Sequence, residues 1–539
     1  MMGELLWKAD LGDGRYRNPI LCTDYSDPDV IRVGDVFYMT ASSFQYTPGL
    51  PVLTSRDLIH WDLVSYALDN IREAGYERPR HGDGVWAPAL RYYDGIFYIF
   101  YGMPDEGIYC VKTADPAGKW DAPVLVRPAK GFIDPCPFID EDGRMYVVHA
   151  YAKSRIGFKS KLGIFEISRE TLQAVSEDAF IFDGEDPAHP AITIEGPKVY
   201  RRDGYVYILA PAGGVTYGDQ RALRAKDVHG PYEIRTVCSQ GSTPVNGPHQ
   251  GGLVDTPSGE EWFLHFQDAG MYGRITHLQP VCWKDGWPVI GVDPDGDGCG
   301  EPVLTYRKPA AGAGETPHEP PAADDFPGGK YGLQWQWTAD HDDARFLCGR
   351  QEGQEDVPAD GLRLRAVDVT GEDEPVLWDC PNIFTQKFCC RAFTAQAEID
   401  LRELAAGGRA GMCAFGGQYA ALSLRLTEDG RSILEYAESA GEGKTRQEEV
   451  LSAKEIARPK RLFFRMRLAG AGDGAAPAAV TFAWSADGET WQETGHAFTP
   501  SKHTWVGARI GLFALAKAGG EAGCVTVRNF RIEALPENA

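Results

Sequence analysis

A short pattern that recurs five times in the first half of the chain restricts the fold more than any other feature. Each copy is a short apolar run, a turn and a second run rich in aromatic residues. The copies start about 50 to 60 residues apart, at Asp27, Trp86, Asp134, Glu195 and His249. The turn of the fourth copy, Asp203-Gly204, is a strong hairpin signal because Gly tolerates the positive φ of a tight primed turn.

Three copies continue into a related tail, "TSRDLIHWDLV", "TADPAGKWDAPV" and "RAKDVHGPYEIR", which is typical of two further strands joined by a turn. Four strands in each of five copies predict an all-β fold, a five-bladed β-propeller over residues 16–307. The innermost strands of a propeller surround a central channel and begin at the same rim. The five starting residues are therefore expected to converge.

Three carboxylates, an indole and an imidazole at one rim indicate a functional site. Taken singly, Asp27 and Asp134 fit loop chemistry, because Asp before Pro commonly starts a turn. His249 taken alone fits a channel-filling role. Glu195 in "IEGPK" has no such explanation, and five equivalent positions together favour function.

The second half of the chain has a different pattern. Residues 308–322 are rich in Pro, Ala and Gly and are interpreted as a linker. Stretches such as "GLRLRAVDV" and "RLFFRMRLAG" then alternate apolar and polar residues, which is typical of half-buried strands. Residues 323–539 are therefore predicted to form a β-sandwich.

Composition excludes several classes of protein. A chain of 539 residues with a formal net charge of −23 has room for two cores and lacks the clustered cations that hold nucleic acid. Neither a secretory pattern at the start nor a membrane-spanning run is recognised, so a cytoplasmic location without a membrane partner is expected. The 12 cysteines lack the CxxC pairs of zinc sites and are expected to be reduced and mostly buried. A homo-oligomer is left open.

The segments "YSDPDVIRVGDVFYM", "GVWAPALRY", "GFIDPCPFIDEDGRMYVVHA", "EGPKVYRRDGYVYILAPAGG" and "NGPHQGGLVDTPSGEEWFLHFQD" together resemble glycoside hydrolase family 43, which contains β-xylosidases and α-L-arabinofuranosidases. The resemblance implies an enzyme in which Asp27 is the general base, Asp134 modulates pKa and Glu195 is the general acid. An inverting glycosidase uses two such carboxyl groups on opposite faces of the sugar. Asp134 and Trp86 are expected to raise the pKa of Glu195.

The same resemblance assigns further residues. Phe44 and Trp86, and with less support Tyr46, are expected to wall the sugar subsite, and Arg274 to reach the sugar hydroxyls. In many members the histidine equivalent to His249 lies near a calcium ion or a water cluster. Calcium would then be structural, and no cofactor is needed for the chemistry. The acidic run "DPDGDG" from Asp293 lacks the Glu of a calcium loop and is interpreted as a turn.

The start of the second domain, "DDFPGGKYGLQWQWTAD", resembles the concanavalin A-like, jelly-roll type domain that some of these enzymes carry. The segment "CPNIFTQKFCC" is a hypothetical loop over the active site, and a sugar-binding module is the competing interpretation. The favoured function is an exo-acting inverting glycosidase that releases terminal β-D-xylose from short xylo- or arabinoxylo-oligosaccharides, with release of α-L-arabinofuranose left open as a second activity. An α-L-arabinofuranosidase and a noncatalytic carbohydrate-binding protein are the alternatives.

Overall fold

The computed structural model describes residues 6–312, 321–349, 361–470 and 478–536. Most of the predicted linker at 308–322 lies outside the described residues. The chain is all-β, as the sequence predicts, and consists of a five-bladed propeller followed by a sandwich-like sheet domain. No helix in the described part of the chain has the length and hydropathy needed to span a bilayer.

Each blade is a four-stranded antiparallel sheet in sequential strand order. Strand β1 (Arg15–Arg17) precedes the first blade. The elements of the blades are β2 (Asp29–Val33), β3 (Val36–Thr40), β4 (Gly49–Ser55) and β5 (Asp62–Leu68) in blade 1; β6 (Trp86–Tyr93), β7 (Ile96–Met103), β8 (Gly107–Thr113) and β9 (Val124–Pro128) in blade 2; β10 (Phe132–Ile139), β11 (Met145–Tyr151), α1 (Lys153–Ile156), β12 (Lys161–Ile167) and β13 (Ala179–Asp183) in blade 3; β14 (Lys198–Arg202), β15 (Tyr205–Ala212), α2 (Gly214–Tyr217), β16 (Asp219–Ala225) and β17 (Glu233–Cys238) in blade 4; β18 (His249–Asp255), β19 (Glu261–Asp268), a 3₁₀ turn (Gly270–Tyr272), β20 (Arg274–Lys284) and β21 (Trp287–Ile290) in blade 5.

The hairpin between β14 and β15 shows how local sequence builds a blade. Asp203 and Gly204 both have positive φ, 50° and 71°, and Arg202 pairs with Tyr205 across the turn. Two consecutive positive φ values define the primed turn whose twist matches that of the flanking strands. The predicted hairpin is confirmed.

The ring of blades is closed by a pair of strands that belongs to none of the five blades. Strand β22 (Thr305–Arg307) pairs antiparallel with β1, so the end of the propeller is hydrogen-bonded to its beginning. Tyr16 of β1 is fully buried beside Trp262 of blade 5. Apolar clusters fill the spaces between neighbouring blades and hold the rim rigid.

The second domain is built around one large hydrophobic core, and β25 shows the predicted alternation of buried and half-buried residues. Its elements are β23 (Ala323–Asp324), a 3₁₀ turn (Pro327–Gly329), β24 (Trp335–Trp337), α3 (Asp343–Phe346), β25 (Leu362–Val367), a 3₁₀ turn (Leu377–Asp379), β26 (Phe384–Lys387), β27 (Phe393–Asp400), β28 (Gly408–Phe415), β29 (Tyr419–Leu426), β30 (Ser432–Ala440), a 3₁₀ turn (Gly443–Thr445), β31 (Gln447–Ile456), β32 (Arg461–Ala469), β33 (Ala479–Ser485), β34 (Gln492–Phe498), β35 (Arg509–Ala516) and β36 (Glu521–Ala534).

Cys348 and Cys524 form a disulfide within the second domain. The expectation that all cysteines are reduced is therefore wrong for this pair, which is separated by 176 positions and cannot be recognised from local spacing. Eight of the other ten cysteines are buried, as expected.

The two domains share backbone hydrogen bonds. Thr47 of blade 1 and Trp337 of β24 bond to each other in both directions, at 3.2 and 2.7 Å. The Tyr272 hydroxyl of blade 5 donates to the Arg391 carbonyl at 2.6 Å. The sandwich is thus docked against the rim of blades 1 and 5.

Candidate active site

The inner strands begin with an unusual backbone conformation. Positive φ values occur at Asp27 (53°), Ala87 (33°), Asp134 (55°), Gly196 (57°) and Gln250 (29°). The strand register is also irregular beside the positions in blades 2, 3 and 5. Such strained, bulged starts redirect side chains and concentrate at functional sites.

These φ values correct the predicted alignment of the repeats. In blades 1 and 3 the strained residue is the carboxylate itself, but in blades 2, 4 and 5 it follows the predicted residue by one position. Relative to Asp27 and Asp134, the predicted residues of the other three blades therefore lie one position earlier in the strand: Trp86, Glu195 and His249. A count of residues between motifs cannot detect an offset of one.

Asp27 is held by three donors. Its Oδ2 accepts from the Ser26 hydroxyl at 2.8 Å and the Ser42 hydroxyl at 2.6 Å, and its Oδ1 accepts from Arg274 Nη1 at 2.8 Å. The Ser42 hydroxyl in turn accepts the Ala87 N–H at 2.7 Å, which ties blade 1 to blade 2. The Asp27 side chain is only 5% exposed, so its orientation is fixed before any ligand arrives.

Asp134 is buried and accepts two hydrogen bonds on one oxygen. The Gly196 N–H reaches Oδ2 at 2.8 Å and the Gln250 side-chain amide reaches the same atom at 3.3 Å. Burial, followed by the charges of Glu195 and Asp27, raises the pKa of Asp134 to about 8. The acidic cluster therefore holds a proton near neutral pH. Sequence reasoning did not anticipate the raised pKa of Asp134, which is more deeply buried than Glu195.

Glu195 is the most exposed of the three carboxylates, with 27% of its side chain accessible. Its Oε1 lies 2.8 Å from Nε2 of His249, which is fully buried. His249 is thus a direct partner of the predicted general acid, a contact that the sequence could not show. Among the three acids, Glu195 is the one placed to reach a ligand in the channel mouth.

Arg274 donates a hydrogen bond to Asp27, the predicted general base. Its Nη1 also donates to the Ser26 hydroxyl oxygen at 2.8 Å, and its guanidinium carbon lies 4.5 Å from the ring centre of Phe266 and 5.2 Å from that of Trp505. Stacking of this kind suits the planar, weakly hydrated guanidinium. The arginine is 6% exposed and is fixed beside Asp27.

The predicted aromatic wall is partly present. Phe44 packs with Val506 in an apolar cluster to which the half-buried Trp86 and Trp505 contribute, and the Trp86 and Trp505 rings meet edge to face at 6.2 Å. Tyr46 belongs to the same cluster and is as buried as Phe44. Its ring centre also lies 3.6 Å from the guanidinium carbon of Arg509 in the second domain.

The second domain therefore supplies Trp505 to the site, and sequence reasoning missed this residue. The segment "CPNIFTQKFCC" contains the interface strand β26, whose Lys387 donates to the Asp24 carbonyl at 2.6 Å. The segment that reaches Arg274 and Trp86 is instead the turn around Trp505. Ser26, Ser42 and Gln250 were also missed, although Ser26 and Gln250 adjoin predicted residues.

The surroundings of His249 fit a calcium ion poorly. In the described residues its Nδ1 is buried without a hydrogen-bond partner, and the nearby side chains include the imidazoles of His265 and His277, whereas calcium prefers oxygen ligands. The carboxylates of Asp293, Asp295 and Asp297 do come within 4.8 Å of one another. They lie in an exposed turn in which Asp293 accepts the N–H groups of Gly296 and Gly298.

Fold and site together define a glycoside hydrolase: a propeller whose channel mouth gathers three carboxylates, an arginine and an aromatic wall. The family model "Glycosyl hydrolases family 43" matches residues 16–288, and the model "Beta xylosidase C-terminal Concanavalin A-like domain" matches residues 323–533. The chain belongs to glycosyl hydrolases family 43.

Individual relatives agree with this assignment. A putative β-xylosidase of Xylanibacter ruminicola is 41% identical over 360 residues, which cover 66% of this chain and 65% of that protein. A non-reducing end α-L-arabinofuranosidase of Bacteroides ovatus is 32% identical, with 69% of each chain covered. The crystal structure of a family 43 protein of Bacillus licheniformis superimposes with a TM-score of 0.80 at 25% identity, covering 97% of this chain and 100% of that one.

Proposed function

We propose that the protein is an inverting, exo-acting glycosidase that releases terminal β-D-xylose from short oligosaccharides. The observation that carries the proposal is the grouping of Asp27, Asp134 and Glu195 beside an aromatic wall that the second domain completes. The named activity of the Xylanibacter ruminicola relative supports xylose as the sugar. A cytoplasmic location and a homo-oligomer stay predictions.

Asp27 acts as the general base. Its three donors, Ser26, Ser42 and Arg274, hold the carboxylate in one orientation, so that it can align a water molecule with the anomeric carbon. The water loses its proton to Asp27 as it attacks, and the configuration at that carbon inverts. Arg274 offsets the negative charge of Asp27, and its Nη2 group is the donor left to bind a hydroxyl of the sugar.

Glu195 acts as the general acid. It is the accessible member of the acidic cluster, and its proton goes to the glycosidic oxygen as the bond to the leaving sugar breaks. Asp134 keeps a proton in the cluster at neutral pH, because its own charge is unfavourable beside Glu195 and Asp27. His249 orients Glu195 through the bond to Oε1.

The aromatic wall supports the exo mode of action. Trp505 of the second domain lies edge to face with Trp86 of blade 2, with the ring centres 6.2 Å apart. A wall on this side leaves room for the end of a chain and obstructs the passage of a long polymer. The noncatalytic alternative is disfavoured, since a binding protein has no need of a buried carboxyl group with a raised pKa.

An α-L-arabinofuranosidase is the second candidate, because a relative of that name shares 32% identity. Initial rates on 4-nitrophenyl β-D-xylopyranoside and 4-nitrophenyl α-L-arabinofuranoside, with Glu195→Ala as the control, separate the two. We expect faster hydrolysis of the xyloside and loss of both activities in the control. A faster rate on the arabinoside would identify arabinose, and not xylose, as the preferred sugar. Full activity of the Glu195→Ala control would refute the role of Glu195.

A further inference from the structure

Asp24 joins two segments of the site that belong to different domains. Its side chain is buried, and its Oδ1 accepts the Arg274 N–H at 2.9 Å while its Oδ2 accepts the Gly507 N–H at 2.9 Å. Arg274 begins β20 of blade 5, and Gly507 follows Trp505 by two residues in the second domain. One carboxylate thus holds the backbone of the arginine and the backbone of the turn that carries Trp505.

Further contacts lock the same three segments together. The Tyr25 N–H donates to the Arg274 carbonyl at 3.0 Å, and the Ala508 N–H donates to the Met271 carbonyl at 2.7 Å. Lys387 of β26 adds its ammonium to the Asp24 carbonyl at 2.6 Å. The segment at Asp24 is therefore bonded on one side to blade 5 and on the other to the sandwich.

Two glycines show how closely these segments approach. Gly273 has a φ of 73°, and a Cβ there would lie 2.4 Å from Cγ of Asp24. A Cβ on Gly507 would lie 2.6 Å from the Gly273 nitrogen. Such distances exclude a side chain at Gly273 unless Asp24 moves, and at Gly507 unless the backbone of Gly273 moves. Arg274 and the turn at Trp505 therefore have little freedom to move independently.

We infer that Asp24 is a positioning residue that couples the docked turn of the second domain to Arg274. Hydrogen bonds from backbone N–H groups to a buried carboxylate are stronger than neutral ones, and removal of the carboxylate leaves two buried donors without an acceptor. The guanidinium of Arg274 and the ring of Trp505, which face each other at 5.2 Å, keep their spacing only while both backbones are held. The kinetic consequence rests on the proposed function, but the structural coupling does not.

The test compares Asp24→Ala with a matched control. Asp340→Ala also removes a carboxylate that accepts a backbone N–H across the domain boundary, since Asp340 accepts the Ile71 N–H at 2.6 Å, but this contact lies in the loop after blade 1. Amide hydrogen exchange is measured for the backbone of residues 270–276 and 504–508, and KM and kcat are measured on 4-nitrophenyl β-D-xylopyranoside.

In Asp24→Ala we expect faster exchange at both Arg274 and Gly507, by about tenfold or more, and a KM raised by about 10- to 100-fold with a smaller fall in kcat. Asp340→Ala is expected to leave both segments protected and KM within about twofold. Equal effects in the two variants would mean that Asp24 only helps to dock the two domains, and this result would overturn the inference. Lost protection with unchanged KM would also overturn the coupling.

Two further measurements keep the inference testable if Asp24→Ala fails to fold. Asp24→Asn retains one carbonyl oxygen, so only one of the two amides is expected to exchange faster. In the unaltered protein, Arg274 and Gly507 are expected to exchange at similar slow rates, and an unprotected Gly507 amide would refute the bond to Asp24. Hydrogen exchange can be measured whether or not the protein hydrolyses the xyloside. Failure of the proposed activity is therefore distinguished from failure of the structural coupling.

Discussion

Substitution of Asp134 by Asn is expected to stabilise the propeller while it impairs catalysis. Both donors to Asp134, the Gly196 N–H and the Gln250 amide, reach the same oxygen, so an Asn whose carbonyl oxygen takes the Oδ2 position keeps both hydrogen bonds. Asn removes only the charge. That charge is unfavourable because Asp134 is buried and because Glu195 and Asp27 lie nearby.

The magnitude follows from the pKa of Asp134, which is about 8 in the folded protein against 3.8 for the ordinary carboxyl group. The folded state retains a proton that the unfolded state has lost between these two values. Stability from this group is therefore complete below pH 4 and is lost as the pH rises toward 8, by about 1.4 kcal/mol per pH unit. From pH 5.5 to 7.5 the wild-type protein loses about 2–3 kcal/mol that the Asn variant keeps.

Differential scanning calorimetry at the two pH values measures this difference. The Tm of Asp134→Asn minus that of the wild-type protein is expected to grow by about 4–8 °C from pH 5.5 to pH 7.5. Asp203→Asn, at the exposed turn of blade 4, is the control for the substitution itself. On the xyloside, kcat is expected to fall by about 100-fold. A Tm difference that does not change with pH, or an unchanged kcat, would refute this account of Asp134.

Three other variants test separate parts of the site and fold. Trp505→Ala is expected to raise KM by about tenfold through loss of its contacts with Trp86 and Arg274, whereas Trp491→Ala on the same domain is expected to leave KM unchanged, and equal KM values would remove Trp505 from the pocket. Arg274→Lys is expected to lower kcat/KM by about 10- to 100-fold because an ammonium lacks the planar guanidinium that packs against the rings of Phe266 and Trp505, and full activity would contradict this reason. The pair Cys348→Ser and Cys524→Ser is expected to destabilise the second domain by about 2–5 kcal/mol in calorimetry, and an unchanged transition would show that the disulfide contributes nothing.

Much of the fold and the carboxylate set could be predicted from the sequence, because both depend on a repeat. The four-strand unit predicts the blade, and its recurrence brings Asp27, Asp134 and Glu195 to one rim. The offset at Gly196 could not be predicted in this way, since it depends on how the backbone bends and not on the residue count. The bond between His249 and Glu195 depends on the same bend.

The contacts between the two domains leave no local pattern in the sequence. Trp505 is one of 13 tryptophans, and nothing in its neighbourhood distinguishes a residue over the channel from one in a sandwich core. Cys348 and Cys524 are 176 positions apart in the sequence and are brought together by the fold of the second domain. Asp24 resembles an ordinary loop aspartate until the Arg274 and Gly507 amides are placed beside it.

The stereochemistry of hydrolysis tests the central claim most directly. The unaltered protein is mixed with a β-xyloside in an NMR tube, and the anomeric proton of the first xylose released is observed before mutarotation. A base at Asp27 that activates water, with an acid at Glu195, predicts α-xylose as the first product. Initial release of β-xylose would mean a retaining reaction through a covalent intermediate and would contradict the roles assigned to these two carboxylates.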